Sequence, residues 1–112
     1  MLSACLKVAA AIATLGALLA ATDVSALSPL EHRGRTLAVR LCAQCHAIGK
    51  TDTSHRPGAP AFRHLDQRVN LDTFGSRLRQ GLMSGHYEMP EFRFSREDAK
   101  ALVAYLRSIQ GP

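Results

Sequence analysis

Apolar residues recur at helical spacing in three stretches of the chain, and segments rich in Gly and Pro separate them. In the first stretch Leu30, Gly34, Leu37 and Leu41 share one face of a 3.6-residue helix, a face that runs straight into Cys42. Ser28-Pro29-Leu30-Glu31 marks its start: Ser28 suits the N-cap, Pro29 the first helical position, and Glu31 completes a capping box. Gly49, Pro57, Gly58 and Pro60 then break helix and strand alike over residues 48–61, and residues 62–68 predict one short helical turn. Asn70 caps a second helix bearing Leu71, Phe74, Leu78 and Leu82, which ends near Gly81 or Gly85. After an irregular segment holding His86, Met89 and Pro90, Ser95 caps the last helix, with Asp98 three residues on. Its buried stripe is Ala99, Leu102, Val103, Leu106 and Ile109, with Tyr105 beside it, and Gly111-Pro112 stops it. No strand alternation or hairpin signal is present, so the fold class is all-α.

The N-terminus does not fit this domain. Lys7 precedes an apolar and small-residue run over residues 8–21, and Val24-Ser25-Ala26 offers the small residues of a signal-peptidase site. A membrane span needs about 20 apolar residues. This run is shorter, Ala-rich and interrupted by Gly16, so residues 1–26 read as a cleaved signal peptide, with an uncleaved anchor as the alternative. The domain left, residues 27–112, is small enough to need a cross-link, metal or cofactor for comfortable stability. Cys5 departs with the leader, and Cys42 and Cys45 stay as a pair. Loss of Lys7 and Asp23 leaves the net charge at the +5 of the full chain. A basic surface can steer a protein toward acidic partners, and it also serves solubility. The expected export and the lack of any basic run argue against nucleic acid as a partner.

The chemistry lies in Cys42-Ala43-Gln44-Cys45-His46, the pattern of covalent haem attachment. Two thiols one turn apart can reach the two vinyl groups on one porphyrin edge, and the adjoining imidazole of His46 can meet the iron. A redox-active dithiol would need a βαβ context, which the chain lacks. A zinc site would need four ligands, and His55, His64 and His86 lack ligand spacing to the single Cys pair.

The attachment motif, a loop Pro, a Met-Pro pair and flanking terminal helices together make residues 29–110 resemble class I cytochromes c, most of all the short single-haem bacterial type. That resemblance implies the cytochrome c fold, with N- and C-terminal helices crossing and one haem c held by Cys42 and Cys45. It implies His46 as one axial ligand and Met89, before Pro90, as the other. His86 could compete as a second imidazole ligand, and Met83 reads as a packing residue. By the same resemblance the carbonyl of Pro60, with Pro57 as a weaker substitute, accepts the Nδ1 hydrogen bond of His46, a bond that orients the ring and raises its basicity. Gly34 matches the small residue at the helix crossing, against Leu102 and Tyr105. The chain departs from the family at Ala38, where an aromatic often packs, and in having no Trp to bond a propionate; Arg63, Arg77 and Arg93 are candidates for that pairing.

The function so implied is single-electron transfer in the periplasm, with no catalysis and no small-molecule substrate of its own. Partners would be redox proteins with acidic docking surfaces. Membrane anchoring enters only if the leader is retained. One alternative is an electron-accepting subunit of a periplasmic dehydrogenase or oxidase. Another is a gas-binding sensor with an open or displaceable sixth ligand.

Overall fold

Ser28 closes the first turn of α1 (Pro29–Leu41) in both directions. Its hydroxyl accepts the Glu31 amide at 3.3 Å, and the Glu31 carboxylate accepts the Ser28 amide at 2.6 Å. The Ser28 backbone bond first, and the hydroxyl second, hold the Glu31 carboxyl below its ordinary range. The computed structural model describes residues 25–82, 85 and 87–112. A 3-10 helix, Phe62–Gln67, follows the long loop. Helix α2 (Leu71–Gln80) starts where Asn70 Oδ1 accepts the Asp72 amide at 2.8 Å and stops at Gly81, whose φ of +112° an L side chain would resist. Helix α3 (Arg96–Ile109) is capped by Ser95, whose hydroxyl accepts the Asp98 amide at 3.1 Å. Among the described residues there is no named strand, so the architecture is all-α as expected. A single antiparallel bridge, Leu82 to Phe92, does occur among them: the Leu82 amide donates to Phe92 O at 2.8 Å, and Phe94 N donates to Leu78 O at 2.9 Å. These bonds close the neck of the segment that carries Met89.

Helix α3 is the centre of the molecule, in contact with α1, α2 and the 3-10 helix. It buries Ala99, Ala101, Leu102, Tyr105, Leu106 and Ile109, while Val103 of the expected stripe is only half-buried. Helix α2 contributes Leu71, Phe74 and Leu78. Leu78 and Leu106 are the bulkiest fully buried side chains, each contributing about 1.5–3 kcal/mol of transfer free energy. The α1 face bearing Leu30, Gly34, Leu37 and Leu41 is fully buried only at Gly34. Leu30 and Leu41 are exposed and Leu37 is half-buried, whereas Gly34 and Ala38 are buried. The cause is a very close approach of α1 to α3. A Cβ on Gly34 would lie 2.0 Å from Ala101 O and 2.7 Å from Tyr105 Cβ. The atoms nearest to Gly34 at this crossing belong to Ala101 and Tyr105, and Leu102 beside them is buried in the core. Ala38, the small residue standing in place of an aromatic, is wholly buried in the core cluster. Arg33–Asp98 (2.6 Å) ties α1 to α3 and Arg107–Asp72 (2.5 Å) ties α3 to α2. Both pairs are solvated and contribute at most about 1 kcal/mol each. Leu27 packs on the core, while most of the expected leader, residues 1–24, lies outside the described residues. No described helix is long and apolar enough to cross a membrane.

Candidate functional site

The site begins where α1 unwinds. The amides of Cys42 and Ala43 both donate to Ala38 O, at 2.9 and 3.0 Å, and the chain then tightens into a turn. Within it Cys45 N and His46 N both donate to Cys42 O, at 3.1 and 3.0 Å. This turn sets the two thiols three residues apart on one coil of backbone, with the imidazole next in line. Both cysteines are half-buried and unbridged, and Cys42 packs on the apolar core. Burial pushes the Cys42 thiol up to about 11. A dithiol oxidoreductase needs the opposite, a thiol lowered toward neutrality by nearby positive charge, so the burial of Cys42 argues against that chemistry. Among the described residues no group of three or more His, Cys, Asp or Glu is arranged to hold a metal ion by itself.

His46 is gripped from the far side of the loop. Its Nδ1 lies 2.8 Å from Pro60 O, and its ring rests on Phe62 with centroids 5.0 Å apart. A carbonyl can only accept, so Nδ1 carries the proton and Nε2 keeps a free lone pair. The loop neck closes where the Phe62 amide donates to Ala47 O at 2.9 Å. Pro57 is exposed in the same loop. The residues just after His46 are fixed by side chains the sequence had not singled out. Asp52 accepts the amides of Ile48 and Gly49, each at 2.9 Å, and Ser54 Oγ accepts the Ala47 amide at 2.9 Å. Asp52 lies three and four residues from the amides it accepts, the short range over which an Asp in an irregular turn bonds backbone, whereas Ser54 reaches back seven. Two longer contacts had no local signal: Tyr105 OH donates to Ile48 O at 2.6 Å, and Gln110 Nε2 donates to Phe62 O at 2.7 Å.

Met89 is half-buried in the segment closed by the Leu82–Phe92 bridge. Glu88 beside it forms an ion pair with Arg56, whose own amide donates to Cys45 O at 3.1 Å. The Met89 segment is therefore fastened directly to the loop that follows the cysteine turn. Met83 and His86 lie outside the described residues. Of the propionate candidates, Arg63 Nη1 donates to Asp52 O at 2.7 Å and the Arg77 guanidinium sits 5.6 Å from the Phe74 ring centroid. Arg93 is exposed and reaches toward Gly81. His32 and His55 are exposed; His64 is half-buried, with an Nδ1 that is buried and without a hydrogen-bond partner among the described residues. An open cleft of about 720 Å³ between the 3-10 helix, α2 and α3 contains neither cysteine, nor His46 or Met89.

The donor set fits a covalently attached haem: two half-buried, unbridged thiols on one turn, Cys42 packed on the apolar core, and an imidazole whose outer nitrogen is already engaged so that Nε2 is left to bind metal. Comparison with known proteins agrees. Residues 29–106 match the family model described as cytochrome c oxidase, cbb3-type, subunit III. The chain is 30% identical over 91 residues to cytochrome c-552 of Bradyrhizobium diazoefficiens, an alignment covering 81% of this chain and 86% of that protein. No solved structure matches. The chain belongs to the cytochrome c family, and is a small c-type cytochrome with haem c as its covalent cofactor.

Proposed function

We propose that this cytochrome is an exported single-electron carrier in which Cys42 and Cys45 attach one haem, His46 and Met89 ligate its iron, and Pro60 orients His46. The observation that carries this reading is the cysteine turn with an adjoining imidazole whose Nδ1 is held 2.8 Å from Pro60 O. Bound at this turn, haem iron supplies a one-electron couple that the polypeptide itself lacks. His46, fixed by a hydrogen bond on one edge and by Phe62 on its face, needs no movement between oxidation states. Met89 is presented by a segment closed at its neck and tied through Glu88 to Arg56, an arrangement that supports a permanent ligand over a displaceable one. A thioether opposite imidazole favours the reduced state, which suits a carrier that accepts electrons readily.

Residues 1–26 act as the export signal on this reading, and the periplasm is the working compartment. The net charge of +5 supports redox partners with acidic docking surfaces, since opposite charge raises encounter rates more than it deepens affinity. A second reading, a dedicated subunit of an oxidase or dehydrogenase, is favoured by one observation: the matching family model is named for an oxidase subunit. Co-purification of the native protein from its source membranes separates a bound subunit from a free shuttle. The ligand assignment is tested by absorption spectra of the exported protein in both oxidation states. A low-spin spectrum with thioether and imidazole ligation is expected, and a high-spin or bis-imidazole spectrum would overturn Met89.

A further inference from the structure

We propose that α3 positions His46 through Tyr105 and Gln110, which hold opposite sides of the loop neck carrying His46 and Pro60. The inference rests on the reading of His46 as an iron ligand and adds residues remote from the attachment motif to its control. The neck is a small closed circuit. His46 Nδ1 donates to Pro60 O at 2.8 Å, and two residues past Pro60 the Phe62 amide returns a bond of 2.9 Å to Ala47 O, next to His46. Each side of the circuit is then gripped from α3. On the His46 side Tyr105 OH donates to Ile48 O at 2.6 Å, in a buried setting that shields the bond from water. On the Pro60 side the carboxamide of Gln110 makes three bonds at the end of α3. Nε2 donates to Phe62 O at 2.7 Å and to Leu106 O at 2.6 Å, and Oε1 accepts the Asp66 amide at 3.0 Å. The Gly111 amide adds a bond to Arg63 O at 3.1 Å.

The consequence is geometric. Phe62 holds His46 twice, by its ring against the imidazole and by its amide on Ala47, and Gln110 fixes the carbonyl of that same residue. Were either grip released, the Nδ1–O separation could widen, the proton on Nδ1 would be shared less strongly, and the imidazole would become a poorer electron donor. Oxidised iron depends most on that donation, so the reduction potential would rise. Neither Tyr105 nor Gln110 touches the metal on this account. Both are positioning residues.

Two mild substitutions test this on the haem-loaded protein. Tyr105→Phe removes one hydroxyl and keeps the Cβ that meets Gly34. Gln110→Met keeps length and neutrality and removes the bonds to Phe62 O, Leu106 O and Asp66 N. The readouts are the midpoint potential, the iron-shifted NMR resonances of the His46 ring and of Met89, and amide exchange at Phe62. Each variant should raise the potential, move the His46 resonances, leave the Met89 methyl resonance in place, and speed Phe62 exchange about fivefold. Unchanged potential and His46 resonances in the variants overturn the inference even if melting temperatures fall, because a packing role alone would lower stability. If only one variant folds, it suffices for this test. A parent protein without iron-shifted His46 signals would instead refute His46 as the ligand, and the inference with it.

Discussion

At the residue scale, single side chains have one defined task each. Met89 has a half-buried thioether in a segment fastened at both ends. Met89→Ala should abolish thioether ligation and leave the haem covalently attached, since attachment depends on the cysteine turn alone; absorption spectra together with a denaturing gel stained for haem check both parts. Gly34 shows what a single missing Cβ permits. Gly34→Ala would place a carbon 2.0 Å from the Ala101 carbonyl oxygen, a backbone atom that cannot swing aside. The helices must separate, at a cost of about 3 kcal/mol, measurable by denaturant unfolding. The attachment turn and Pro60 were legible in the sequence because their spacing is local or carried by the family pattern. Asp52 was legible in principle; Ser54, seven residues from the amide it accepts, was less so, and Tyr105 and Gln110 were not. Their bonds join residues 57 and 48 positions apart, and a lone Tyr or Gln on a helix carries no sign of where it reaches.

At the scale of elements, the caps decided most of what could be read. Ser28, Asn70 and Ser95 each stand at the expected helix start and accept the expected amide. Ser95→Ala removes one acceptor from the first turn of the helix that contacts every other helix, and should lower stability by about 1 kcal/mol without altering the absorption spectrum. Along α1, helical spacing groups Leu30, Leu37 and Leu41 with Gly34 but does not say which of them is buried. Helical periodicity finds leucines, but closest approach selects Gly34, and leucines left outside a close crossing can be tolerated at the surface. The Leu82–Phe92 bridge gave no pattern to read either. A single pair has no alternation, and its closure depends on where α2 and α3 already lie.

For the whole molecule, three helices and a 3-10 turn form a frame in which α3 supports the loop that carries His46, while a bridge and an ion pair fasten the segment that carries Met89. Burial, ahead of its charged neighbours Arg35 and Asp52, raises the Tyr105 phenol above its ordinary value of 10.0. The unfolded chain therefore loses this proton first. The stability that Tyr105 contributes is fully present below pH 10 and is lost as pH rises through the folded-state value. Unfolding monitored above pH 10 should show this decline, and Tyr105→Phe should flatten it. The overall arrangement was legible because local caps, breakers and one motif all point to the same fold. The central claim is that one turn of backbone carries a covalent macrocycle, and the intact mass of the exported, matured protein tests it most directly. The predicted result is the mass of residues 27–112 plus one haem; the mass of bare polypeptide would contradict it.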